Sequence, residues 1–432
     1  MSKISKIHAR EVLDSRGNPT VEVDLFFGDG EKVSAIVPSG ASTGDYEACE
    51  WRDKDASRYL GKGVLKAVHA VDEEIAKEFE GFLLGNQKKF DASLVTFDGS
   101  LNKSRLGANA LLAVSIAYAK ASAKTAHQEL WEYFAKLSGQ KGTVLPVPMM
   151  NILNGGVHAD NNLDLQEIMI VPFGFEKFSE GLRAGVEVFH HLKRVLKEKS
   201  LNTAVGDEGG FAPSLSSNQE ALDVISQAIE DAGYKVGGQI AFAIDAAASE
   251  FFQEGFYILE NEPHSKKTSE EMISYYEVLK NKYPLVSLED GLDQNDWEGW
   301  KKLNSQLGND LQLVGDDLFV TNTKLLSKGI SQKAANAVLI KMNQIGTITE
   351  TLDCIAMAKK ANFATVISHR SGETEDTFIA DLAVGVQAGQ IKTGSACRSE
   401  RMAKYNQLLR IENILWDKAK YAGSEAFSSW NG

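Results

Sequence analysis

Six short apolar runs in the C-terminal part of the chain each end on a group able to do chemistry. AFAID ends on Asp245, LVSLED on Glu289 and Asp290, LQLVGDD on Asp316 and Asp317, AVLIKMN near Lys341, TVISHR on His369 and Arg370, and a weaker QIKTG holds Lys392. Any one of these acids, taken alone, reads as the N-cap of the next helix or as a solvated loop charge. Six ends in register read differently, because reactive groups in a (β/α)₈ barrel collect where strands end. Three carboxylates converging on one mouth repel one another unless a hard cation sits among them, and oxygen-only ligands suit Mg²⁺. Two lysines and an arginine on the next three strands could then hold a carboxylate and a phosphate.

A helical pattern follows each run, and six βα units in a row argue for parallel strands in a barrel or a doubly wound sheet. Two further strands precede them, VPMMNIL at 147–153 and LQEIMIVPF at 165–173. The stretch between them is too short for a helical crossover, so the two are expected to run antiparallel. Two helical stretches come next, at about 177–199 and 218–232. The order ββαα(βα)₆ supplies eight strands, and a closed, slightly irregular barrel is preferred to an open sheet.

Ahead of these elements, Val21, Val23, Leu25 and Phe27 alternate with Glu22 and Asp24, turn at Gly28-Asp29-Gly30 and return from Val33 to Val37. That is a hairpin signature. Val68, Val71, Ile75 and Phe79 share one helical face, and a longer helix is expected from about Arg105 to Lys124. The chain thus divides into an α+β domain over 1–140 and a barrel over 141–432.

The chain is long enough for two or three domains. Its 432 residues are 43% hydrophobic and 24% charged, the composition of an ordinary globular protein. A formal net charge of −13 disfavours non-specific binding to nucleic acid or anionic membranes. An anionic substrate must therefore meet local positive charge or metal. Cys49, Cys354 and Cys397 are odd in number with no C-x-x-C spacing, which implies neither a disulfide framework nor a zinc site and fits a reducing cytoplasm. The opening MSKISKIHAREVLDSRGNP has no apolar h-region, so no signal peptide is expected. Asn109, Ser115 and Lys120 interrupt the most apolar stretch, so no membrane span is expected either.

Strings spread over nearly the whole chain resemble the enolase family: SRGNPTVEV, VPSGASTG, NGGVHADNNLDLQEIMIVP, GDEGGFAP, SLEDG, VGDDLFVTN, LIKMNQIGT, SHRSGETEDTFIADLAVG, and IKTGS with the following RSER. The HADNN and SLEDG forms resemble bacterial members. The resemblance implies an N-terminal domain capping a catalytic barrel, and a Mg²⁺-dependent lyase that converts 2-phosphoglycerate to phosphoenolpyruvate in glycolysis and gluconeogenesis. It implies two Mg²⁺ per site, with Asp245, Glu289 and Asp316 as ligands of the first and Ser42 helping to hold the second. Lys341 matches the base and Glu208 the acid that protonates the departing hydroxyl. Arg370 and Ser371 match the phosphate contacts and Lys392 the group pairing with substrate near the metals. His158, Gln166, Glu167 and His369 complete the pocket. A homodimer is implied, with larger rings of dimers open.

The implied chemistry sets two demands. A lysine acts as base only when neutral, so the pKa of Lys341 is expected to fall from its usual ~10.4. Glu208 must hold a proton near neutral pH, and Glu167 beside it would raise its pKa.

Other features carry less. His190 and His191 read as surface or packing residues of an amphipathic helix, and Cys397 as structural. GDEGG lacks the lysine and spacing of a P-loop. Gly291 stands where many relatives carry proline, away from any matched site position. A racemase or sugar-acid dehydratase on the same scaffold would lack SHRSGET, and a binding-only relative would have lost Glu208 or Lys341.

Overall fold

The computed structural model describes residues 2–427 other than 42, 43, 157, 158, 160 and 263. It opens with an antiparallel meander, β1 (Ile4–Leu13), β2 (Pro19–Phe27) and β3 (Glu31–Ile36), in the order β1-β2-β3. The alternation of β2 buries Val21, Val23, Leu25 and Phe27 completely or nearly so. Asp24, at an alternate position of β2, is also buried. It is covered by ion pairs with Arg10 and with Lys32 at 3.1 Å, and by the Ser34 hydroxyl at 2.5 Å. The four apolar residues of the helical segment 65–79 are buried together, as their spacing demands.

Three helices complete this part: α1 (Gln87–Asp98), α2 (Ala108–Thr125) and α3 (Leu130–Ser138). Helix α2 is buried on nearly every face. The polar residues that interrupt its apolar run are its docking points. Asn109 accepts from the Trp51 N–H and donates to the Trp51 carbonyl, Ser115 donates to Asp91 at 2.7 Å, and Lys120 reaches Asp376 at 2.6 Å.

The barrel strands are β4 (Val147–Asn154), β5 (Glu167–Val171), β6 (Ala241–Asp245), β7 (Leu285–Glu289), β8 (Gln312–Gly315), β9 (Ala337–Ile340), β10 (Ala364–Ser368) and β11 (Gly389–Lys392). They close in the cyclic order β4-β5-β6-β7-β8-β9-β10-β11. Strand β5 is antiparallel to both neighbours, and the other pairings are parallel. Two helices, α4 (Phe178–Glu198) and α5 (Asn218–Asp231), intervene between β5 and β6. After β6, strands alternate with α6 (Ser269–Lys282), α7 (Trp297–Leu307), α8 (Thr323–Gln332), α9 (Ile348–Lys360), α10 (Phe378–Gly385) and α11 (Ser399–Leu415). The fold is an α/β barrel of order ββαα(βα)₆ behind an α+β N-terminal part.

Alternate strand residues divide the core. Val147, Met149, Met169, Ala243, Val314 and Leu339 belong to one apolar cluster, completed by Phe427. The intervening positions, such as Ile152, Ile170, Ile244, Leu288 and Ile340, join the larger cluster with the helices and the N-terminal part. Among the described residues no helix is long and apolar enough to cross a membrane.

Candidate active site

The reversal of β5 decides what reaches the barrel mouth. Every other strand ends there, but β5 begins there, so Gln166 and Glu167 join the strand-end residues. Register then aligns the acids: Glu167 lies opposite Asp245, and Asp245 opposite Glu289. Asp316, two residues past the partner of Glu289, stands just beyond that row. Glu208 arrives from the loop between α4 and α5.

That loop explains GDEGG. Gly206 donates to the Gly210 carbonyl at 2.8 Å, and Gly209 to the Gly206 carbonyl at 3.1 Å. Gly209 has φ +88°, and a Cβ there would lie 2.6 Å from the Cys397 carbonyl oxygen. A Cβ on Gly210 would lie 2.4 Å from Asn154 Oδ1 and 2.9 Å from the Asn151 carbonyl. Only glycine allows the turn to press Glu208 between β4 and the segment after β11. Cys397 meets the site through this backbone contact, in keeping with a structural role.

One small cavity is lined by Gln166, Glu167, Glu208, Asp245, Lys341, Ser368, His369, Arg370, Ser371, Lys392 and Ala41. Lys392 Nζ sits 2.8 Å from Asp245 Oδ2, 2.9 Å from Glu289 Oε1 and 3.3 Å from Glu167 Oε2. Burial opposes its charge, but Asp245, Glu167 and Glu289 outweigh burial and hold it well above the usual lysine range. Lys341 is ion-paired with Asp316. On the far wall, Asn151 Nδ2 donates to Glu208 Oε2 at 2.9 Å, and His369 Nε2 lies 3.4 Å from the same oxygen.

Burial, then the charge of Glu208, push Glu167 well above the ordinary carboxylate range. Glu208 acts on Glu167 as a neighbouring negative charge. Like charges this close favour the protonated form of one of them. The cavity therefore sets Glu167, pushed toward its protonated form, with Glu208 and a lysine around one space, and Arg370 and Ser371 beside them. A family model described as Enolase, C-terminal TIM barrel domain matches residues 142–429, and one described as Enolase, N-terminal domain matches residues 4–134.

The chain belongs to the enolase family.

Of the residues singled out from the enolase resemblance, Gln166, Glu167, Glu208, Asp245, Lys341, His369, Arg370, Ser371 and Lys392 all line the cavity. Glu289 and Asp316 stand directly behind it, on the two lysines. Ser42 and His158 lie outside the described residues. His190 is exposed and His191 half-buried on α4, away from the cavity.

One electrostatic expectation is corrected. Lys341 is not depressed: burial pushes it down, but Asp316 and Glu289 push harder, and the net lies above the ordinary lysine value. Beside Glu208, burial and the Glu208 charge raise Glu167.

The residues present fit a hard cation. Among the described residues Glu289 Oε2 is buried with no hydrogen-bond partner, and burial and Asp245 raise the Glu289 pKa well above normal. Such a carboxylate is an oxygen donor in want of positive charge. Three other acid groups, Asp290, Asp316 and Asp317, also bring oxygens within 4.8 Å of one another. Asp290 is better understood as a brace. Its Oδ1 and Oδ2 accept the backbone N–H groups of Asp316 and Asp317, each at 2.9 Å, from a residue held at φ +41°.

Several contacts went unread in the sequence. Glu47 grips Arg370, Asn343 accepts from Arg370 at 2.9 Å, Gln344 donates to Asp316 at 2.9 Å, and Arg401 reaches His369 at 2.7 Å. Three of the four lie within the enolase strings LIKMNQIGT and RSER. The available signal was their sequence proximity to Lys341 and Lys392.

Proposed function

We propose that this chain removes water from 2-phosphoglycerate to give phosphoenolpyruvate, reversibly. The observation that carries the reading is a cavity lined by Lys341, Glu208 and Arg370 together. A β-elimination next to a carboxylate needs a base at one carbon, an acid at the next and a cationic contact for the phosphate, and these are the residue types on the walls.

In this reading Asp245, Glu289 and Asp316 hold one Mg²⁺ and Ser42 helps hold a second. When bound, they supply the positive charge that stabilises a carboxylate losing the proton beside it. Lys341 takes that proton. With the charge of Asp316 otherwise engaged, burial, Arg370 and Lys392 all favour the neutral amine that a base requires. Glu208 delivers the proton of the Glu167–Glu208 pair to the leaving hydroxyl. Arg370 and Ser371 hold the phosphoryl group, and Lys392 pairs with the substrate carboxylate. Gln166 and His369 complete the pocket walls, and the resemblance adds His158 to the substrate contacts. We further propose a cytoplasmic homodimer serving glycolysis; Cys49, Cys354 and Cys397 are all free thiols.

The test is the ultraviolet absorbance of the enol product. Purified protein with 2-phosphoglycerate and Mg²⁺ gives a rising signal, excess chelator abolishes it, and Lys341→Ala does too. Folded wild-type protein that gives no signal with Mg²⁺ overturns the reading in favour of a racemase or sugar-acid dehydratase on this scaffold, or of a binding-only protein.

A further inference from the structure

Arg370 is gripped by a carboxylate from the N-terminal part of the chain. Arg370 Nη1 lies 3.0 Å from Glu47 Oε2, and Nη2 lies 3.1 Å from Glu47 Oε1. Nη1 also donates to Asn343 Oδ1 at 2.9 Å. The two side chains are 3% and 10% exposed. A fork-on-fork pair with a third acceptor fixes both the plane and the rotation of a guanidinium.

Glu47 has other ties. Its Oε1 accepts the Gly44 N–H at 3.2 Å and Gln344 Nε2 at 3.3 Å. That same Nε2 donates to Asp316 Oδ1 at 2.9 Å. One carboxylate thus touches the base of the SGASTG segment, the arginine assigned to the phosphoryl group and the support of a proposed metal ligand. The segment is fastened on both sides of residues 40–43. Upstream, Ser39 and Gly372 exchange backbone hydrogen bonds at 2.8 and 2.9 Å. Downstream, Asp45 and Gln294 exchange side-chain and backbone bonds at 3.2 Å, and the Tyr46 hydroxyl donates to Asn295 at 3.1 Å.

A carboxylate beside an anion site repels the anion, so Glu47 weakens phosphate binding unless its hold on Arg370 gains more than the repulsion costs. The geometry points to the gain. We propose that Glu47 is a positioning residue for the phosphoryl group: it orients the Arg370 guanidinium and ties Gly44 to it without touching substrate. The proposal rests on the function proposed above for the same cavity.

Glu47→Gln keeps the shape and removes the charge. The expected result is that KM for 2-phosphoglycerate and the Kd of inorganic phosphate, measured by calorimetry with Mg²⁺ present, both rise about tenfold. kcat should stay within about threefold, which a general loss of structure would not spare. An unchanged or tighter phosphate Kd, or a fall in kcat with KM held, overturns the proposal; tighter binding would mean that Glu47 competes for the arginine. Asn343→Ala removes the other acceptor on Nη1 and decides the question if Glu47→Gln fails to fold: its phosphate Kd should rise about threefold, and no change overturns the proposal. Wild-type protein that binds phosphate but never turns over 2-phosphoglycerate defeats the assigned reaction, and the phosphate Kd ratio still decides the role of Glu47.

Discussion

Arg401 fixes the tautomer of His369. A guanidinium has no acceptor atom, so the 2.7 Å contact from Arg401 Nη1 to Nδ1 requires that nitrogen to be bare and Nε2 to carry the hydrogen. Arg401 is fully buried and also donates to the carbonyls of Arg370, Ser371 and Asp207 at 2.7, 2.6 and 3.2 Å. Burial lowers the His369 pKa to about 4, and the charge of Arg401 adds to the effect. A neutral ring with Nε2–H facing Glu208 can donate to that carboxylate or to a substrate oxygen, but cannot act as a cation. The ring ¹⁵N shifts of His369 should therefore show Nε2 protonated and unchanged between about pH 5 and about pH 8, where an ordinary histidine titrates. A titration midpoint near 6.5 would contradict this account of the ring.

Helix α10 shows what an element gives up to be buried on every side. All eight of its residues are buried, Asp381 among them. Gln407 donates to both Asp381 oxygens, at 3.2 and 3.3 Å, yet burial raises the carboxyl to about 7. A carboxyl that holds its proton longer in the folded chain than in the unfolded one costs nothing at pH 4. Folding then loses stability as pH rises from about 4 to about 7, by at most about 4 kcal/mol for a shift of roughly three units. Asp381→Asn keeps an acceptor for Gln407 and removes the ionisation. The variant should be the more stable protein at pH 8, with the difference shrinking toward pH 4 in denaturant titrations at each pH. A destabilised variant at pH 8 would show that the ionised form is better accommodated than its burial indicates. The sequence signalled this helix through its apolar run, but not its acid, because a single aspartate in an apolar helix reads as a solvent-facing residue.

At the scale of the molecule, the barrel was legible because period and punctuation agree. Six of the eight strands were short apolar runs ending at or beside a charged residue, and the gap between 153 and 165 was too short for a parallel crossover. Asp245, Glu289, Asp316, Lys341 and Lys392 were legible for the same reason, since a strand end fixes where a side chain goes, whereas Glu167 and Glu208 were legible only through the family resemblance. Glu47, Asn343 and Arg401 were not legible, because they act across gaps of 323, 27 and 32 residues that no local pattern encodes. The two parts of the chain are joined through such contacts. Asp91 accepts from the Thr349 N–H at 2.8 Å and hydroxyl at 2.6 Å, Lys103 reaches Glu350 at 2.6 Å, and Lys120 and Glu47 add their own ion pairs. The charge state of Lys341 was also beyond the sequence, since it depends on which group Asp316 faces. The central claim is that Lys341 and Glu208 divide the chemistry, one removing a carbon-bound proton and the other assisting the leaving hydroxyl. Mass spectrometry of 2-phosphoglycerate incubated in D₂O with Mg²⁺ tests that division most directly. The account predicts that Glu208→Gln still exchanges the proton on the phosphate-bearing carbon while forming little product, and that Lys341→Ala does neither; exchange by Lys341→Ala at the wild-type rate would contradict it.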